Sequence, residues 1–281
     1  MNIMSKIKQR GEEYYEIMQK IYEEAIKLHK ENNFGRRRIS RIIEEKYGIK
    51  IPHATIYGWL YKRRHPLGNC KKLKLCPELA YVMGAWLGDG SLAHGSHAQY
   101  IIKLQVEDYE FAEEFGKCAG VINNNPLPYK PYLIRDKYEV RFCNVLLYYL
   151  LKHSRKDPWI LMPYLKSYPA EACRGFFDAE GSTSFDGKYC YVRVSNDNFE
   201  LLKMITELLK SLDISSRIYA INTPRKIMVI NGRTAHRNKN RTFCLYTSGK
   251  ESTKKFYEEV EFTIKRKQEE LKQAMISLGW I

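Results

Sequence analysis

Ile17, Ile21, Ala25 and Leu28 recur at steps of three and four residues, the period of a helix with one buried face. They predict a helix over residues 10–31, stopped by Asn32-Asn33-Phe34-Gly35. A second helix is predicted over Arg36–Tyr47, with Ile39, Ile42 and Ile43 on one face and Gly48 as a left-handed cap. After the turn Ile49-Lys50-Ile51-Pro52, a third covers residues 53–63 and turns Ile56, Trp59 and Leu60 to the core. From residue 78 the pattern changes. A run of almost unbroken apolar character, residues 79–88, gives way to two-residue alternation over 100–105, which returns over 191–195. Alternation of that kind predicts half-buried strands.

The second part of the chain reads twice. Leu79-Ala80-Tyr81-Val82-Met83-Gly84-Ala85-Trp86-Leu87-Gly88-Asp89-Gly90 opens one copy, and Ala172-Cys173-Arg174-Gly175-Phe176-Phe177-Asp178-Ala179-Glu180-Gly181 the other. Each is an apolar helix with a small residue four positions after a glycine (Gly84/Gly88, Gly175/Ala179), and each ends in one carboxylate and a glycine. The acids are 91 positions apart, and Gln105 and Ser195 follow them at 16 and 15 residues. Both strands lead into helices, 108–119 and 197–212, and then into a further strand and helix, 138–142 with 145–152 and 242–246 with 252–275. The unit is helix–strands–helix–strands–helix, run twice at about 90 residues per copy.

Small residues at i and i+4 clear one stripe of side-chain bulk, so that two such helices can approach backbone to backbone. Asp89 and Glu180 then stand side by side at two helix C-termini, where unpaired carbonyls already concentrate negative charge. Two carboxylates there repel each other unless a cation bridges them, and an all-oxygen ligand set suits Mg²⁺.

These residues carry a resemblance. Val82 to Gly90, VMGAWLGDG, and Cys173 to Gly181, CRGFFDAEG, resemble the two signature helices of the LAGLIDADG homing endonucleases in their single-chain, two-motif form. The resemblance covers residues 78–281. It implies an α+β fold, a tandem αββαββα pseudo-twofold repeat whose sheets form a saddle on the DNA major groove. It also implies a site-specific double-strand endonuclease, in which metal-dependent phosphodiester hydrolysis leaves short 3′ overhangs. Carried over residue by residue, Asp89 and Glu180 bind two or three Mg²⁺ ions, with Mn²⁺ able to substitute, and the carbonyls of Gly88 and Ala179 are further ligands. Gln105 falls where the family often has a water-ordering glutamine; its counterpart is Ser195, followed by Asn196. A pocket lysine normally follows the last helix of each half, and Lys265 is the first choice, with Lys267 next. The matching stretch of the first half, Ile160-Leu161-Met162-Pro163, has no lysine, which leaves Lys156 one turn away. An intron-borne origin is implied by the resemblance alone.

Charge adds a partner. The 281 residues carry a formal net charge of +15, and residues 1–77 hold 18 Lys and Arg against 8 Asp and Glu. A balance that far from zero favours a polyanion. The spacing of the first three helices resembles the helix–turn–helix of resolvases and many repressors. On that reading Arg36, Arg37 and Arg38 hold phosphates, and His53, Thr55, Tyr57 and Arg63 meet double-stranded DNA. In the saddle, Lys103, Gln105, Tyr191 and Arg193 share a face, while Arg135, Lys137 and Arg141 are weaker candidates. A basic excursion absent from the first copy, 223–241, offers Arg225, Lys226, Arg233, His236, Arg237, Lys239 and Arg241. The expected organisation is a small all-α helix–turn–helix domain over 1–64, a basic linker over 65–77, and repeats over 78–168 and 169–281.

Other classes fall away. No apolar run approaches the ~20 residues of a membrane span, and the charged start has no signal-peptide core. Seven cysteines form no C-x-x-C pair, which fits reduced thiols in a soluble cytoplasmic protein of prokaryotic type, or an organellar one. Splicing residues are missing at both ends of the sequence, so a free-standing enzyme is expected, monomeric because the duplication supplies both half-sites, with no obligate protein partner. The rival readings on the same scaffold are a non-cleaving DNA-binding regulator and an RNA maturase, the latter with RNA as partner.

Overall fold

The structure is a computed structural model that describes residues 12–62, 64–67, 72–95, 99–222, 227–230, 233–236 and 241–281, with the backbone alone for 12–13, 222, 227–230, 233–236 and 241. It forms two compact units, one within residues 1–72 and the other over 73–95 and 99–281. Among the described residues no helix is long and apolar enough to cross a membrane.

The first unit has three helices, α1 (Glu12–Asn32), α2 (Arg36–Tyr47) and α3 (His53–Tyr61). The predicted apolar faces meet in one cluster of Met18, Ile21, Ala25, Ile39, Ile43, Ile49, Ile51, Ile56 and Trp59. Gly48 ends α2 at φ 64° with its N–H on Glu44 O, a conformation that favours glycine. The Ser40 hydroxyl donates to Ile51 O at 2.6 Å and ties the turn between α2 and α3 to α2 itself.

The second unit is α+β, built as two αββαββα halves. The first runs α4 (Pro77–Asp89), β1 (Gly90–Gly95), β2 (Gln99–Val106), α5 (Tyr109–Ile122), β3 (Tyr132–Ile134), β4 (Lys137–Cys143) and α6 (Val145–Ser154). Its antiparallel sheet has the order β1-β2-β4-β3. A 3-10 turn (Pro158–Leu161) and a short helix α7 (Met162–Leu165) lead to the second half. That half runs α8 (Pro169–Glu180), β5 (Gly181–Phe185), β6 (Cys190–Asn196), α9 (Phe199–Ser211), β7 (Ser216–Asn222), β8 (Ile227–Ile230), β9 (Arg233–His236), β10 (Arg241–Thr247), α10 (Gly249–Lys255) and α11 (Lys265–Ser277). Its sheet, β5-β6-β10-β7, repeats the first, and within the basic excursion β8 and β9 pair antiparallel with each other. One apolar core, which includes Met83, Trp86, Phe111, Phe115, Phe176, Phe177 and Phe256, joins the helices of both halves to the sheets.

The helix expected over 252–275 is broken. After α10 the chain passes through a wide π-type turn, Phe256–Val260, and Glu261 adopts φ 61°. The Arg174 guanidinium donates to Val260 O at 2.6 Å, and the Gln268 side chain accepts Phe262 N–H at 2.9 Å. Tertiary hydrogen bonds thus end one helix and start the next where local propensity alone would continue it.

Candidate active site

The two signature helices touch backbone to backbone. A Cβ added to Gly84 would lie 2.0 Å from Ala172 O, and one added to Gly175 would lie 2.2 Å from Tyr81 O and 2.7 Å from Ala85 N. Further along, a Cβ on Gly88 would meet the Ala179 methyl at 2.4 Å and Glu180 Cγ at 3.0 Å. Only glycine permits an approach this close. Both helices end alike: Gly90 at φ −75°, ψ 151° donates to Trp86 O, and Gly181 at φ −79°, ψ 150° donates to Phe177 O. Asp89 and Glu180, one residue before these caps, are brought together at the helix ends, followed at once by β1 and β5.

The electrostatics match that placement. Asp89 keeps an open side to solvent, yet burial of its other side raises its pKa, against the pull of Lys267 and Lys137. Glu180 is half-buried; burial raises its pKa first and the charge of Asp89 second, opposed by a hydrogen bond from Asn196 and by Lys267. Asn196 Nδ2 donates to Glu180 Oε1 at 3.1 Å. Asp89 accepts no hydrogen bond from the described residues. A pair of acids at two negative helix ends, each harder to ionise than usual, is a site that a cation would relieve. Among the described residues no cluster of three or more His, Cys, Asp or Glu side chains accompanies it, so the remaining oxygens have to come from carbonyls, water or a ligand. Gly88 and Ala179 stand in those last turns, beyond the carbonyls that the caps engage.

Lys267 rather than Lys265 reaches the pair. Its ammonium donates to Asp178 O at 2.6 Å and to Phe177 O at 3.4 Å, at the C-terminus of α8, where a cation complements the helix dipole. Burial lowers its pKa, opposed by the charges of Asp178, Asp108 and Asp89. Lys265, the first choice from sequence, opens α11 with its side chain exposed. The reason lies in the broken helix. Asp178, 1% exposed, accepts Thr263 N–H at 2.8 Å and the Tyr81 hydroxyl at 2.8 Å, which anchors the chain just before α11 and turns its third residue inward. Burial pushes the Asp178 carboxyl up to about 6, against hydrogen bonds from Thr263 and Tyr81.

The two acids differ in their partners: Asn196 bonds Glu180, and no described residue donates to Asp89. The Ser195 hydroxyl lies 3.0 Å from Cys244 Sγ and does not touch Glu180. Gln105 is half-buried on β2 opposite Glu139. In the first half Lys156 is exposed, and it is Arg155 that approaches α4, 5.5 Å above the Trp86 ring.

Among the remaining candidates, Arg37, Arg38 and His53 are exposed and Arg36 and Thr55 half-buried. Tyr57 carries Arg36 at 5.1 Å and Lys62 at 5.7 Å from its ring. Lys103 is bound to Glu139 at 3.0 Å; Tyr191 is half-buried and Arg193 exposed on β6. Arg63, Arg225, Lys226, Arg237 and Lys239 lie outside the described residues, and for Arg233, His236 and Arg241 only the strand backbone is described. Arg217, Tyr219 and Tyr246, on the face shared with Arg193, were missed by the sequence reading, although β7 and β10 alternate in the same way.

Paired glycine-faced helices that each deliver one acid to a pseudo-dyad, followed by repeated four-stranded sheets, define a LAGLIDADG-type protein. Residues 167–261 match the family model described as a LAGLIDADG-like domain. An uncharacterized protein of Methanocaldococcus jannaschii, MJ0398, is 30% identical over 258 residues, 90% of this chain and 92% of that protein. Homing endonuclease I-ApeI of Aeropyrum pernix is 31% identical over 152 residues, 48% of this chain and 66% of that one. Among solved structures, homing endonuclease I-WcaI bound to its DNA recognition sequence is 12% identical over 71% of this chain and 89% of its own, with a TM-score of 0.47. I-DmoI in complex with DNA and Ca is 16% identical over 66% and 88%, with a TM-score of 0.46. The chain belongs to the LAGLIDADG homing endonuclease family.

Proposed function

We propose that the protein is a site-specific endonuclease that cuts both strands of duplex DNA by metal-dependent phosphodiester hydrolysis. The observation that carries this reading is the Asp89–Glu180 pair, held by glycine-to-backbone packing at two adjoining helix ends with a raised pKa at each acid. A protein that only bound DNA would gain nothing from two such carboxylates beside phosphates. Asp89 and Glu180, with the Gly88 and Ala179 carbonyls next to them, offer the oxygen donors that Mg²⁺ or Mn²⁺ takes. Divalent ions held there would supply Lewis acidity at the scissile phosphate and at the departing 3′ oxygen. The chain's own residues do the rest. Asn196 fixes the orientation of Glu180, Lys267 offsets negative charge at the α8 terminus, and Gln105 takes the water-ordering role that the family pattern gives it. The two sheets lie along the duplex, and the first unit adds phosphate contacts through Arg36, Arg37 and Arg38 with α3 as the groove-reading helix. Short 3′ overhangs and action as a monomer follow from the family pattern of two motifs in one chain.

Incubation with a randomised plasmid library and Mg²⁺, followed by mapping of the ends, tests the reading. Discrete staggered breaks are expected from the wild type and none from Asp89→Asn or Glu180→Gln. Tight binding of DNA without breaks under either Mg²⁺ or Mn²⁺ would overturn it, and RNA binding would then be measured.

A further inference from the structure

Matched through the pairing that follows each acid, the two sheets present different chemistry on corresponding faces. Gly90 pairs with Leu104 and Gly181 with Val194, so Lys103 corresponds to Arg193 and Gln105 to Ser195. On the next strand Arg141 and Glu139 stand opposite Lys103 and Gln105, and Tyr246 and Cys244 stand opposite Arg193 and Ser195. One strand further, Tyr132 faces Glu139, Tyr219 faces Cys244, and Arg217 faces Tyr246.

In the first sheet Glu139, 2% exposed, gathers the face around itself. It binds Lys103 Nζ at 3.0 Å and accepts from Arg141 Nε and the Tyr132 hydroxyl. Burial pushes its pKa up, but these bonds outweigh that and hold it below the usual range. The carboxylate is ionised, and the cations that could reach a base are satisfied internally. In the second sheet the corresponding residue is Cys244, a buried thiol. Among the described residues Arg193 makes a single side-chain hydrogen bond, from Nε to Ser182 Oγ at 3.2 Å, and neither it nor Arg217 has an ion pair. Both are exposed. Between them Tyr246 packs edge-on against Tyr191 (centroids 5.1 Å apart) and Tyr219 (5.8 Å), as the floor of an open hollow of about 520 Å³.

We infer that the two repeats discriminate unequally: Arg193 and Arg217, bracketing the tyrosine floor, make the second sheet the principal reader of a duplex DNA half-site, whereas Glu139 silences the matching face of the first. This rests on the DNA reading above. Its occupant is duplex DNA because unpaired guanidinium groups on a chain of net charge +15 face a strong polyanion, and because the two residue types suit base edges. Arginine forms paired hydrogen bonds to guanine N7 and O6, and an apolar ring accepts the thymine methyl. The half-site read by the second repeat should therefore place guanines around a thymine-bearing step.

The test is selection of bound duplexes from a randomised library in EDTA, using the full chain, followed by sequencing. Wild type should enrich sites with strong preferences in one half and weak ones in the other. Arg193→Ala and Arg217→Ala, both surface changes, should each reduce guanine discrimination in the strong half by about tenfold. Replacing thymine by uracil in that half should weaken wild type but not Tyr246→Ala. Glu139→Gln, checked by circular dichroism for retained fold, should release Lys103 and Arg141 and create new preferences in the weak half. Equal halves, or selected sites unchanged by the arginine substitutions, would overturn this inference while leaving the endonuclease reading standing. Failure to enrich any duplex would remove both.

Discussion

Gly84→Ala strikes the junction on which the whole site depends. The added methyl would lie 2.0 Å from Ala172 O and 3.1 Å from Phe176 N, whereas an ordinary carbon–oxygen contact is about 3.3 Å or longer. The obstruction is backbone, so no rotamer change relieves it, and α4 and α8 have to part by roughly 1.3 Å, the difference between those two contact distances. Alanine in a helix interior gains about 1 kcal/mol over glycine. Against that, overpacking costs about 1–3 kcal/mol and occasionally more. A gap of about 1 Å opened along the pair also forfeits a quarter to a half of each dispersion contact there. A net loss of about 3 kcal/mol is expected in equilibrium urea unfolding. Because Asp89 and Glu180 ride on the two helices, the same displacement should lower the cleavage rate by about 100-fold under conditions where the variant is folded. Gly175→Ala, with backbone at 2.2 and 2.7 Å, should behave alike. A Gly84→Ala protein within about 0.5 kcal/mol of wild type would refute backbone contact between the helices.

Other expectations follow from the same geometry. Asp178 has a carboxyl pushed from an ordinary 3.8 to about 6 in the folded protein, so the folded state holds the proton more tightly than the unfolded state. Its contribution therefore falls by up to about 3 kcal/mol as pH rises through 4 to 6. Asp178→Asn should flatten that window in pH-dependent urea titrations, and an unchanged profile would contradict the assignment. Lys267→Met should slow single-turnover cleavage about 100-fold, while Lys265→Met stays within about twofold; the reverse order would restore Lys265 as the pocket lysine. If binding makes about eight phosphate contacts, log affinity should fall against log salt with a slope near −7, and Arg36, Arg37 and Arg38 changed together to Ala should lower that slope by about 3. A slope unaffected by the triple change would take those arginines off the DNA.

The parts legible in the sequence are those written locally. The paired small residues, the acid–glycine ends and the two-residue alternation after each acid follow from residues within a dozen positions of one another, and they placed α4, α8, β2 and β6. The three helices of the first unit were readable from their apolar period for the same reason. What escaped depends on contacts distant in sequence. Nothing near residue 261 announces that Arg174 and Asp178 will break the last helix and turn Lys267 inward. That Asn196 meets Glu180 while Ser195 lies against Cys244 is likewise set by contacts made only in the folded chain. The neutralisation of Lys103 by Glu139 becomes visible only once β2 and β4 are in register.

The most direct measurement of the central claim is a Mn²⁺ titration followed by electron paramagnetic resonance of the free ion, with and without duplex DNA. The carboxylate pair predicts bound Mn²⁺ in the wild type that is lost in both Asp89→Asn and Glu180→Gln and retained in Asp178→Asn. Equal Mn²⁺ binding by wild type and both site variants would contradict it.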